Sequence, residues 1–313
     1  MKHRIAMLSS VLVLAACTDG STSAADDVEQ ADRSYVSGNF MFNLQGVACG
    51  FVKSISGGGL TEEKVDSGTN SNVISLDLGN DISSPVVDWI NASWKSDYQR
   101  KDGSIVAADF NLNAKSEREF FHALITETGI PAADGSSKDP AYIKLKFAPE
   151  SVRFKAGDGA RIAPPKDVDR KGFDPSNFRF EVSGMSTSKV NKIDAITIKQ
   201  TTARDSDAGV KPVTVMPEVT VHLPESEVAG WSAWLDASRN GQGEEKSGSL
   251  VFLSSNREKE LARVNFFGLG IFSITPDKAE ANDDKVKRVS VRLRPGGMSL
   301  RMASAKPDAG TGR

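Results

Sequence analysis

Along most of the chain, apolar and polar residues alternate one for one. "FMFNL" (40–44), "VISLDL" (73–78), "AYIKLKF" (141–147), "FRFEV" (178–182) and "RVSVRLR" (288–294) keep that period. A strand with one face in a core and one in water requires it, because successive side chains point to opposite faces. "SIVAADF" (104–110) and "SLVFLSS" (249–255) follow glycine-containing turns and read as further strands. "VTVMPEVTVHL" (213–223) also alternates, and Pro217 within it predicts an edge position or a bulge, since proline gives nothing to a ladder. Two stretches change to helical spacing. Ser84 and Pro85 open the first as cap and first-turn residue, with Val86, Trp89, Ile90 and Trp94 on one face. Val228, Trp231 and Leu235 make the second stripe, with Trp234 near its edge. The tryptophans are expected to pack against a sheet. The predicted fold class is mainly β.

The pattern then repeats. "NFMFNLQG" (39–46) returns as "NFRFEVSG" (177–184), and Val52 and Ile55 return as Val190 and Ile193. "SSPVVDWINASWKS" corresponds to "PESEVAGWSAWLDAS", each with two of the chain's 4 tryptophans. "KDGSIV" (101–106) answers "KSGSLV" (246–251), and "IKLKFAPESVRF" (143–154) answers "VSVRLRPGGMSL" (289–300). The order is conserved and the spacing drifts little, which predicts an internal duplication with loop insertions. "GDGARIAPPKDVDRKG" (157–172) has linker composition. The expected division is domain 1 at 37–157, a linker at 158–172, domain 2 at 173–303 and a disordered tail at 304–313. Each domain is expected to fold independently.

The first residues form a different kind of segment. Lys2, His3 and Arg4 precede an apolar run from Ile5 to Ala16, too short to span a bilayer, which takes about 20 residues. It ends in Leu14-Ala15-Ala16-Cys17, which resembles the bacterial lipobox. That resemblance implies a signal peptide over 1–16 and lipidation of Cys17. Residues 17–36 are polar and acidic and read as a flexible tether. The expected location is the bacterial cell envelope, lipid-anchored, the outer membrane rather than the inner because Asp19 and not residue 18 is the nearest acid.

Composition narrows the chemistry. A formal charge of -2 leaves no global basic footprint, so no nucleic-acid partner is expected. Cys49 is the sole cysteine besides Cys17, so no intrachain disulfide framework is expected. It lies in an apolar stretch and reads as buried rather than nucleophilic. His122 in "EFFHALI" is expected beside a core aromatic pair, and His222 in "VTVHL" in a strand. No HExxH or Cys-His metal spacing occurs. "SISGGGL" (54–60) lacks a phosphate-binding lysine and reads as a turn. "DVDRKGFD" (167–174) sets Asp167, Asp169 and Asp174 near Gly172, somewhat like a calcium loop, but Lys171 stands where an oxygen ligand is needed. No cofactor and no metal are expected, and the chain does not read as an enzyme. Lys144, Lys146, Arg288, Arg292 and Arg294 occupy the polar faces of the closing strands. Of these, Lys144, Lys146, Arg292 and Arg294 are the candidate interface or lumen residues.

The second copy, with its W-x-x-W helix followed by "EKSGSLVFLSSNREKELARVNFFGLGIFSI" and "VKRVSVRLRPGGMSL", resembles the tail tube proteins of contractile phages. "LARVNFF" (261–267) stands for that family's aromatic segment, with Val264 in place of its usual tryptophan. The first copy resembles another branch through "FFHALITETGIPAADGSSKDPAYIKLKFAPE" (120–150). The resemblance implies a β-sandwich or barrel with one flanking helix per domain, subunits that form stacked rings, and no catalysis. Two such domains in one chain imply a homo-trimer that supplies a pseudo-hexameric ring. The role implied is a membrane-anchored adaptor or ring element of a phage-derived injection apparatus, with injection-apparatus proteins as partners. The alternative is a surface or periplasmic ligand-binding lipoprotein.

Overall fold

The computed structural model describes residues 38–59, 72–163, 171–205, 209–278 and 286–303. The signal peptide, Cys17, the tether and the tail lie outside the described residues. The first half runs β1 (Asn39–Leu44), β2 (Val47–Gly57), β3 (Ile74–Leu78), α1 (Ser84–Trp94), β4 (Lys101–Ala108), β5 (Ala114–Ile130), β6 (Ala133–Asp134), β7 (Ile143–Ala148) and β8 (Ser151–Ala156). The second runs β9 (Phe178–Val182), β10 (Lys192–Ile193), β11 (Ile196–Asp205), β12 (Gly209–Val215), β13 (Val219–Pro224), α2 (Ala229–Arg239), β14 (Lys246–Leu253), β15 (Glu260–Pro276), β16 (Arg288–Arg294) and β17 (Gly297–Met302). The protein is mainly β, with two barrel-like sheets and one α-helix in each half.

The strands β4-β1-β2-β3-β7-β5 pair in sequence, and β5 returns to β4, so the first sheet closes on itself. The second sheet, β6-β10-β13-β16-β15-β14-β9, remains open. The β1–β2 ladder has no counterpart at β9, but the ladders present in both halves match residue for residue. Phe42 faces Ile105 across β1 and β4, and Phe180 faces Leu250 across β9 and β14. Leu76 faces Leu145, and Val221 faces Val291. Even the irregularities coincide: the β5–β7 ladder slips between Ile125 and Glu127, and the β15–β16 ladder between Ile271 and Ser273. Both long strands also turn through a positive φ at the same place, His122 at 50-odd degrees (φ 51) and Gly268 (φ 56).

The alternation fixes the core. In β3 and β7 the buried residues are Ile74, Leu76, Leu78, Ile143, Leu145 and Phe147, while the residues between them are less buried. Phe42, Phe120 and Phe147 cluster inside the first barrel, and Trp89 of α1 meets Phe147 at 5.6 Å between ring centroids. The Trp89 indole donates to Gln99 O at 2.8 Å, and the Trp234 indole to Glu244 O at 3.0 Å. Trp89 and Trp234 are therefore the equivalent pair. Trp231 stands where the first helix has Val86, and Trp94 where the second has Arg239. The N-cap of α1 is Ser83, one residue before the expected cap, and its side chain makes no capping bond. Pro217 lies in the short connector between β12 and β13, so the run expected as one strand is two.

The two halves exchange elements. β11 adds to the edge of β5, with Ile196 opposite Ile130 and Lys199 opposite Glu127, and carries β12 with it. β6 pairs with β10. Asn91 of α1 reaches β17, where its side chain donates to Leu300 O at 2.8 Å and accepts from Leu300 N–H at 2.7 Å. One continuous apolar core accordingly contains Trp89 and Phe147 together with Phe173, Phe252 and Phe266. The start of the linker lies along the first half, where Ile162 N–H donates to Leu112 O at 2.8 Å.

Candidate interaction surface

The basic residues of the closing strands sit where alternation puts them, but most are not free charges. Lys144 is exposed, opposite Asp77 in the ladder. Lys146 Nζ lies 2.8 Å from Glu127 Oε1, and Lys199 Nζ lies 3.8 Å from Oε2. Glu127 thus links β7 to β11, that is, one half to the other. In the second half, Glu218 follows Pro217 and takes both arginines: Arg292 Nη2 at 2.5 Å and Arg294 Nη2 at 3.1 Å. Both guanidinium groups also stack on Phe272, at 4.8 and 4.9 Å from the ring centroid. Phe272 occupies the bulge of β15, and the extra residue there turns an aromatic side chain outward. The hydrogen bond from Arg292 holds the Glu218 carboxyl below its ordinary range, with Arg294 adding to it. Of the four residues expected at an interface or lumen, three are thus ion-paired, with two cations sharing one carboxylate at each of Glu127 and Glu218.

A second network covers the outer face of β9, β14 and β15. Arg263 Nη1 meets Glu181 Oε2 at 2.9 Å and Ser249 Oγ at 2.7 Å, while Arg179 meets Glu181 at 2.6 Å and Glu260 at 2.8 Å. Burial alone would raise the Glu181 carboxyl. The bonds from Ser249, Arg263 and Arg179 outweigh it and hold the pKa at about 2. Glu181, Ser249 and Arg263, with Met185, Thr187 and Asn265, line an open groove of about 440 Å³. In the first half the positions of Glu181, Ser249 and Arg263 are held by Asn43, Ser104 and Glu117, while Met41 and Ala114 stand for Arg179 and Glu260 in a small apolar cluster with Phe51 and Val106. Nothing in the alternation distinguished these two faces; only the paired charges of "FRFEV" and "ELARVNF" hinted at the difference.

The remaining chemical candidates are accounted for locally. His122 is not beside a core aromatic pair: Phe120 is buried, but the histidine side chain is 62% exposed and lies 3.5 Å from Glu150. The positive φ at this residue swings its side chain out of the barrel. His222 bridges Asp194 at 3.2 Å and Ser290 Oγ at 3.2 Å, a string with the composition of a hydrolytic triad. Ser290 Oγ donates instead to Asp277 at 2.8 Å, and the residue lies mid-ladder between β13 and β15. Cys49 is buried, with its thiol pushed up by burial. Asp174 spends both carboxylate oxygens on Ser176 and Asn177, closing a turn, while Asp167 and Asp169 lie outside the described residues. Among the described residues no group of three or more His, Cys, Asp or Glu is placed to hold a metal.

No protein-family model matches the chain, and no curated protein matches its sequence. Solved structures similar to it include a chain of the PVC extracellular contractile injection system, in the sheath-tube complex in its extended state. It is 14% identical, with a TM-score of 0.32, over 40% of this chain and 89% of that one. The tube-terminating cap of the anti-feeding prophage is 15% identical, with a TM-score of 0.33, over 47% and 98%. A chain of the anti-feeding prophage baseplate is 8% identical, with a TM-score of 0.29, over 45% and 98%.

Proposed function

We propose that the chain is a non-catalytic assembly element, a tandem duplication of a tail-tube-like domain held at the cell envelope by a lipidated Cys17. The two copies are residues 37–157 and 173–303, and three chains supply the six positions of a ring in an injection-type apparatus. The observation that carries this reading is the docking of one copy on the other. Two domains with the same strand registers are joined by strand addition of β11 to β5 and by Asn91 of α1 on β17. A fold that builds its own neighbour contact from an edge strand and a helix is suited to repeated side-by-side packing. The motif resemblance to tail tube proteins supports the same role. Light scattering of the detergent-solubilised full chain tests the ring, with a trimer expected. Membrane fractionation of Cys17→Ser tests the anchor, with release to the soluble fraction expected. The groove at Glu181 and Arg263 favours a second reading, a ligand-binding envelope lipoprotein; a clean monomer at every concentration would leave that one standing.

A further inference from the structure

The helix of the first half covers the last strand of the second half. Under Asn91, the β17 residues Met298, Leu300 and Met302 are almost fully buried. The same ladder register places Val152, Phe154 and Ala156 at those positions on β8. Among the described residues no helix covers Phe154, which is 47% exposed. β8 pairs only with β5, so its outer edge is open among the described residues. Meanwhile α2 carries Asp236 at the position of Asn91, counted from the equivalent tryptophans, and Asp236 is exposed.

We infer that α2 of one chain docks on β8 of a second copy of this chain, as α1 docks on β17 within it. The inference rests on the assembly role proposed above and names its contact surface. Asp236 can accept from the outward main-chain N–H of Phe154, as Asn91 accepts from Leu300. Net charge is compatible with the pairing: Arg153 and Lys155, on the face of β8 opposite Phe154, share the single carboxylate of Glu119, while α2 and the turn after it carry Asp236, paired with Arg239, and the exposed Glu244 and Glu245. The difference in polarity follows from when each contact forms. The contact within the chain is made once, on folding, and lies over Leu300, whose ladder neighbours Ala262 and Val264 are buried. The contact between chains must stay wet until the copies meet, and Ser116 and Arg118 replace Ala262 and Val264 in the β8 ladder. Interfaces between pre-folded partners are in general more polar than obligate ones. Phe154 remains as the central apolar anchor. Applying the same step to the strands leaves the outer edge of β15 over residues 273–276 without a partner among the described residues, where β5 carries β11 at 127–130. The incoming copy thus meets an open edge as well as a helix. Each chain gives one α2 and receives on one β8, so the contact is head-to-tail.

Disulfide trapping in the full chain tests this. Phe154→Cys and Asp236→Cys, mixed and mildly oxidised, are expected to yield a dimer containing one of each; the double variant is expected to yield a ladder of multiples. The wild type, with Cys49 buried, serves as the uncross-linked control. Phe154→Asp, at an exposed site that does not disturb the fold, is expected to weaken association at least ten-fold by light scattering. A wild type that associates but gives no 154–236 link, and is indifferent to Phe154→Asp, overturns this surface and leaves the assembly role intact. A wild type that is monomeric at every concentration overturns both.

Discussion

His122 holds a left-handed backbone conformation that its counterpart, Gly268, adopts without a side chain. A non-glycine residue there stores strain of about 1 kcal/mol, and the exposed pair with Glu150 returns little of it. His122→Gly is therefore expected to raise stability by roughly 0.5–1 kcal/mol, read as a higher urea midpoint at constant slope. Glu181 behaves in the opposite sense, as a residue whose surroundings already favour its charge. Its pKa is lower in the fold than in the unfolded chain, so its contribution is complete above about pH 4.5 and fades as pH falls toward about 2. The side chain is 41% exposed, and screening reduces the contribution to about 1 kcal/mol. In Glu181→Gln that part of the acid destabilisation should be missing, which a series of thermal melts between pH 5 and pH 2 would measure.

At the level of elements, the strands were legible because each has a wet and a dry face, and the helices because their apolar spacing breaks that rule. β11 and β12 were not legible as a bridge. Their residues alternate weakly, and the partner that orders them is β5, far away in sequence. The outward turn of His122 was hidden for a similar reason, since a positive φ leaves no mark on the hydrophobic pattern. The candidate basic faces were placed correctly on β7 and β16, but their neutralising partners, Glu127 and Glu218, come from other strands and connectors that only the tertiary fold brings near. Among the exchanged elements, α1 on β17 offers the cleanest test. Asn91→Ala leaves the N–H and C=O of Leu300 beneath a helix without partners. A loss of about 2–3 kcal/mol is expected in denaturant unfolding, with Asn91→Asp recovering only the half of the contact that accepts a hydrogen bond.

Across the whole molecule, the apolar core does not stop at the linker. It includes residues of both halves, and the β11–β5 and β6–β10 pairings cross between them. A single proteolytic cut between 164 and 170 is accordingly expected to leave the halves co-eluting on gel filtration, and they should separate only in denaturant. The matched registers have one more consequence, and it concerns the route to the native state. Two halves that pair their strands alike also offer each other wrong partners: while the chain is still searching, β5 and β15 can take the same ladder positions. Mispaired forms of this kind are a hazard wherever two parts of a chain share a register, and pairing over long sequence separations slows the search further. The differences between the halves bear directly on that competition. A charged network on one outer face against an apolar cluster on the other, and arginine and serine in place of valine and alanine beside β8, make each wrong pairing bury a charge or strand an apolar side chain in water. The differences between the two halves thus work against wrong strand pairing during folding.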